Sequence, residues 1–128
     1  VSVLVEPLLI AWLSQDLSPS VPVTTETPPE LENAVPLVQV ARIFGDDDAF
    51  RLDYPGVDVT AWASDRLAAA RLAGRVRDSI IRLWRHQGAF NGAVVTSVEI
   101  RPAPRWLPYD NTQVRRYQAT YHLVTHPA

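Results

Sequence analysis

Ala69, Leu72, Ala73, Val76, Ile80, Leu83 and Trp84 fall at the three-and-four spacing of a helix with one apolar stripe. A stripe of that length must be buried against something broad and apolar, and the flanking segments supply it. Residues 37–44 are an apolar run, residues 51–63 alternate around Pro55 and Gly56, and residues 93–101 and 114–125 alternate again. Period two marks strands with one buried face. A long helix between two pairs of strands therefore predicts a sheet covered by helix. Ser64 is placed to cap that helix, Asp65 suits its first turn, and Gly88 lies just past its end.

A second helix is predicted over 6–16. Pro7 suits a first turn, where its missing N–H costs nothing. Leu9, Trp12 and Leu13 share a face that Leu8 and Ala11 widen, and Ser18 and Pro19 stop it. Val21, Val23 and Thr25 alternate as a short strand that Pro22 confines to an edge. Residues 27–34 read as a loop with room for one helical turn. Residues 37–44 are apolar on both faces near their centre, which reads as a central strand. They pair with 51–63 in a long hairpin turning at 45–49, with a kink or bulge at Pro55-Gly56. The expectation is an α+β, two-layer single domain over 1–128. It has a mixed, mainly antiparallel sheet with two helices packed on it, in the order α-β-β-β-α-β-β.

Hydrophobic residues make up 47% and charged residues 20%, as in ordinary globular chains rather than disordered ones. A formal net charge of −2 argues against a dedicated nucleic-acid binder. The absence of cysteine excludes disulfides, thiolate chemistry and Cys-based zinc sites. Residues 3–13 are apolar, but Glu6 and Pro7 interrupt them, no basic flank precedes them, and they are short for a membrane span. They read as a core helix of a cytoplasmic protein. All 12 basic residues are arginine. That fits the codon usage of a GC-rich genome, and it also suits interfaces, because the planar guanidinium binds carboxylates with two hydrogen bonds.

No catalytic, cofactor or metal residue is assigned. There is no GxSxG and no glycine-rich phosphate loop, and His86, His122 and His126 lack metal-ligand spacing. Asp46, Asp47 and Asp48 permit three readings: a solvated hairpin tip, a hard-cation site, or an acidic surface facing a lumen or a neighbour's arginines. Arg71, Arg75, Arg82 and Arg85 line the polar side of the long helix, with Asp78 able to pair with Arg75 or Arg82. They are either a solvated face or a subunit contact. The stretch RPAPRWLPYDNTQVRRY, 101–117, is stiffened by Pro102, Pro104 and Pro108. Trp106 and Tyr109 are recognition residues there, or core folded under the loop. Asp110 and Asn111 supply a turn, and Arg115 and Arg116 point to opposite faces of the next strand.

Taken in order, PLVQVARIFGDDDAF, then LDYPGVDVTAWASDRLAAARLAGRV, then PRWLPYDN and VRRYQATYHLVTHP resemble the small tail-terminator, or tail-completion, proteins of long-tailed bacteriophages. The resemblance covers nearly the whole chain. It implies a structural protein rather than an enzyme: a ring, typically six-fold, that caps the tail tube and docks it to the head connector. The implied partners are further copies of the chain, the tail-tube protein and the connector protein. DNA would pass through the lumen without specific binding, and no membrane is involved. The implied place is the head-proximal end of the virion tail, after synthesis in the host cytoplasm. A ring needs a head-to-tail contact that closes by rotation. The residues expected to make it are Asp46, Asp47, Asp48, Arg71, Arg75, Arg82, Arg105, Trp106 and Arg115. Two alternatives stand beside this reading. One is a head–tail adaptor binding the connector from the head side. The other is a small ligand-binding or hydrolytic α+β domain using the triple aspartate with a histidine.

Overall fold

The computed structural model describes residues 4–17, 21–47, 52–86 and 88–128. Its elements are α1 (Val5–Asp16), β1 (Val23–Thr24), α2 (Leu31–Ala34), β2 (Leu37–Asp47), β3 (Asp53–Ala63), α3 (Arg66–Arg85), β4 (Ala93–Ile100), β5 (Arg105–Trp106) and β6 (Arg115–Pro127). The strands form one mixed sheet in the order β1-β2-β3-β6-β4, with β5 also paired to β6. Only the β1–β2 pair is parallel. This is the α+β arrangement of two main helices on a sheet.

β2 and β3 form the expected hairpin, from Leu37 opposite Trp62 to Asp47 opposite Asp53. The middle of the sheet, however, belongs to β3 and β6, and β2 has only the two-residue β1 outside it. The expected bulge at Pro55-Gly56 is instead carried by the partner strand, where the register shifts between Arg42 and Phe44. The reason is local. Gly56 leaves room for the Phe44 ring, whose nearest carbon would lie 1.9 Å from any Cβ there. β2 also runs on through the expected turn at Gly45, at φ +130, where a Cβ would meet the Tyr54 carbonyl oxygen at 2.2 Å.

Alternation decides the layers. Val57, Val59 and Ala61 on β3, with Ala119, Tyr121 and Leu123 on β6, face the helices and are buried. Against them pack Leu9 and Leu13 from α1 and Leu72, Val76 and Ile80 from α3. Fully burying each such leucine or isoleucine stabilises the fold by about 1.5–3 kcal/mol. Tyr121 joins this core as bulk, with its hydroxyl buried and without a hydrogen-bond partner among the described residues. Burial pushes that phenol well above its ordinary pKa, so it stays neutral.

The two helices are tied together by polar bonds. Trp12 Nε1 donates to the Ser79 carbonyl at 2.8 Å, Arg75 donates to the Leu17 carbonyl at 2.8 Å, and Arg82 donates to Asp16 Oδ2 at 2.6 Å. After α3 the chain reverses through Asn91 and Gly92, both at positive φ. Phe90 and Ala93 exchange both backbone bonds across them, as a two-residue hairpin turn requires. Phe90 then packs edge-on against Trp12, closing that end of the core.

The helix α3 starts one residue later than the sequence suggests. Asp65, not Ser64, is the N-cap, and its carboxylate accepts from Ala68 N at 2.9 Å. The acid wins because it also complements the positive end of the helix dipole. Asp65→Ala is therefore expected to cost about 1 kcal/mol, or roughly 4 °C in melting temperature for a domain of this size. Ser64→Ala is expected to be silent. Thermal denaturation of the two variants side by side checks the assignment.

Candidate functional site

The face of the sheet away from α1 and α3 is built in cross-strand rows. Leu37, Trp62 and Arg116 form the first, and Gln39, Thr60, Gln118 and Arg105 the second. Ala41, Asp58 and Thr120 form the third, and Phe44, Gly56, His122 and Glu99 the fourth. An antiparallel sheet commonly leaves such a polar face to solvent. Here one end is roofed. Leu31 of α2 and Val114 pack with Leu37 and Trp62 in a second small core. The third helix, a single turn, thus lies on the side opposite the other two.

The roof is held by Arg116 and by Asn111. The Arg116 guanidinium lies 5.4 Å from the Trp62 ring centre and 4.9 Å from that of Tyr109. It donates to the carbonyls of Leu107 at 3.2 Å and Pro108 at 3.0 Å. Tyr109 meets Trp62 edge-to-face at 4.8 Å. Asn111 folds its own turn by accepting from Gln113 N at 3.0 Å, and its amide donates to Glu32 of α2 at 3.2 Å. Tyr109 is therefore part of the roof, although 40% exposed.

Beneath the roof lies an open hollow of ≈ 240 Å³, lined by Gln39, Asp58, Thr60, Trp62, Tyr109, Arg116 and Gln118 among others. Its polar groups are largely spent on one another. Gln118 donates to Thr60 at 3.0 Å, Thr120 donates to Asp58 at 2.6 Å, and Thr27 and Trp62 both donate to Gln39 Oε1 at 3.2 Å. Such a network orders the sheet face and leaves few groups aimed at a ligand.

The residues expected to make contacts divide into two groups. Arg75 and Arg82 are committed to α1 within the same chain, and Arg115 donates to the Thr112 and Val114 carbonyls. Asp78 pairs with neither Arg75 nor Arg82 but with the adjacent Arg77, at 3.3 Å on the surface. The pairing of a helix arginine with another element is invisible to spacing along its own helix. Arg71, Arg105 and Asp46 are exposed, with no ion-pair partner among the described residues. Trp106 is 39% exposed beneath the Arg66 guanidinium, 4.3 Å from the ring centre. Asp47 is described only by its backbone pairing with Asp53, and Asp48 lies outside the described residues.

Apolar exposure marks places that spacing did not. Ile43, Phe44 and Tyr54 stand exposed at the hairpin end, and Leu67 at the start of α3. Strand addition is hindered at one point on each side of the sheet. On β4, Thr96 is the extra residue of a bulge, and its carbonyl accepts from Trp84 Nε1 at 3.1 Å. On β2, the Arg42 backbone N–H is taken by the Glu6 carboxylate of α1 at 3.0 Å. Bulges and inward-turned acids are recognised means of stopping strand addition.

Among the described residues no cluster of His, Asp or Glu is arranged to hold a metal ion, and no helix is long and apolar enough to cross a membrane. His122 Nε2 lies 2.9 Å from the Arg101 carbonyl, and its ring rests on Phe44. Comparison of the sequence with models of known families and with curated proteins finds no match.

Two outcomes follow. Arg116→Ala removes two charge-assisted bonds and two ring contacts, so it should destabilise by about 2 kcal/mol and speed proteolysis within 107–113. Arg116→Lys should not rescue it, because an ammonium lacks the planar fork. Urea unfolding and limited proteolysis measure both. The second outcome concerns pH. Hydrogen bonding from Arg82 holds the Asp16 carboxyl below its ordinary 3.8. A lowered folded pKa gives stability that is present above the unfolded value and lost as pH falls through the folded one. Arg82→Gln should therefore lower stability slightly at neutral pH and leave it unchanged below the folded pKa, so that the acid limb between about pH 5 and that point is flattened.

Proposed function

We propose that this chain is a structural assembly protein that closes into a ring with copies of itself, caps a phage tail tube and offers the ring's other face to the head connector. The observation that carries the reading is the presence of two unlike exposed corners on one small domain. One holds Ile43, Phe44 and Tyr54, and the other holds Leu67 and Trp106. A closed ring needs two different surfaces per subunit, because a head-to-tail contact joins unlike patches. The protected sheet edges support the same reading. Where strand addition is hindered, self-association runs through side chains, and a head-to-tail contact whose rotation closes gives a ring.

The resemblance of the 36–45, 57–73 and 104–127 segments to tail terminators supplies the biological setting. A head-side adaptor would use the same kind of ring. The hydrolytic alternative draws less support, since the hollow's polar groups are paired with one another and His122 is engaged by the Arg101 carbonyl.

Trp106→Ala is the informative variant. It should leave the isolated protein folded, with a melting temperature close to that of the parent, while particles assembled with it carry overlong or headless tails. Electron microscopy of tails supplies the readout. Virions of normal tail length and infectivity assembled without the protein would overturn the reading.

A further inference from the structure

We infer that the hairpin corner of one copy seats on the α3–β5 corner of the next, with Asp46 meeting the guanidinium groups of Arg105 and Arg66. The inference rests on the ring reading and names its contact. The occupant is a second copy of this chain because the two corners are complementary in charge and alike in apolar character. The hairpin corner pairs an exposed carboxylate, Asp46, with Ile43, Phe44 and Tyr54. Its nearest described arginine, Arg42, is already held by Asp53 in a two-bond ion pair at 2.8 and 2.9 Å. The receiving corner pairs Leu67 and Trp106 with two arginines. Arg66 is exposed, stacks on Trp106 and donates through Nε to the Tyr117 hydroxyl at 3.4 Å. Arg105 stands on the other side of β5, opposite Gln118. The acid beside them, Asp65, is spent on the cap of α3.

Geometry makes the contact head-to-tail. Phe44 pairs across to Gly56 and on to His122, whereas Trp106 pairs to Tyr117 on the far edge of β6. Three strand spacings and five residues along a strand separate the corners by about 20 Å on the diagonal. One molecule therefore cannot satisfy itself, and two molecules joined through one such contact still present one free corner each. Aromatic and arginine side chains in a desolvated centre are what specific interfaces use. An arginine–carboxylate pair at that centre sets the register.

The chain has no cysteine, which makes the test direct. Ile43→Cys and Leu67→Cys are made separately and together in the full-length chain, and each is treated at high protein concentration with a short bis-maleimide. Each single variant should remain a monomer on denaturing gels, and their mixture should give dimer only. The double variant should give a ladder ending in a closed species. Adding Asp46→Arg to the double variant should reduce the ladder at least tenfold, and adding Arg105→Asp as well should restore most of it. Circular dichroism melting confirms that each variant is folded. Single variants that dimerise as well as the mixture would overturn the contact, because they would show a like-with-like pairing. A missing ladder with a ring still seen by light scattering would overturn this contact and leave the ring reading intact. A missing ladder with monomer at every concentration would also overturn it, and the ring reading would then stand or fall on tail length.

Discussion

The register between β3 and β6 governs everything else in this protein. Val59 sits opposite Ala119 and Thr60 opposite Gln118, so apolar pairs fall on one face and polar pairs on the other. A slip of one residue would turn one strand over relative to the other, placing either Asp58 and Thr60 or Gln118 and Thr120 under the helices. The helices then follow, because α1 and α3 each have one apolar side and only one face of the sheet accepts it. The polar network on the other face is a consequence of the same pairing, since Gln118 meets Thr60 and Thr120 meets Asp58 only in this register.

Arginine is the sole basic side chain, and its roles separate by what lies within reach. Arg75, Arg82, Arg115 and Arg116 tie elements of the chain to one another through carbonyls and a carboxylate. The forks of Arg75 and Arg82 are directed by an element distant in sequence, whereas Arg115 and Arg116 reach carbonyls within nine residues. Among the described residues Arg71 and Arg105 have no such neighbour, and both are exposed. Counting arginines on a surface therefore overstates what is available to a partner. The exposed Arg82–Asp16 pair adds little to stability through attraction alone. Its use is positional, because it holds the end of α1 on α3 where Trp12 also bonds the Ser79 carbonyl.

Much of the fold was legible because it rests on long periodic segments. The stripe from Ala69 to Trp84, the hairpin and the last two strands each carry a period over many residues, and all of them form, although Trp84, expected in the buried stripe, is exposed. What was hidden depends on single atoms or on distant pairs. Ser64 and Asp65 are both good caps on paper, and only the bond to Ala68 N separates them. The strand at Arg105–Trp106 has two residues and no period, and it exists because β6 outruns β4 and leaves Gln118 and Tyr117 with open backbone groups. Asn91-Gly92 was a readable turn signal that the preceding helix overshadowed. Of the nine contact residues expected from sequence, Arg75, Arg82 and Arg115 are engaged inside the chain, whereas Asp46, Arg71, Arg105 and Trp106 stand at the surface. Ile43 and Leu67 escaped notice because an exposed apolar residue inside an alternating or helical pattern looks like core until the partner elements are placed.

In the proposed ring, protected edges and exposed corners are two halves of one requirement, to assemble and to stop. A sheet with a bare edge recruits any strand, including those of its own kind, without limit. Here the bulge at Thr96 is sealed by Trp84, and the outer side of β2 is sealed by Glu6 from α1. Both seals come from the helices, so folding the core and closing the edges are a single event. For the proposed association this leaves side-chain surface, where geometry rather than backbone pairing sets the number of copies. Unlike patches at diagonal corners impose a rotation between neighbours, and a rotation that closes gives a finite object with no unused end. In the proposed role that property matters more than affinity, because an open end on a cap would continue the growth that the cap terminates.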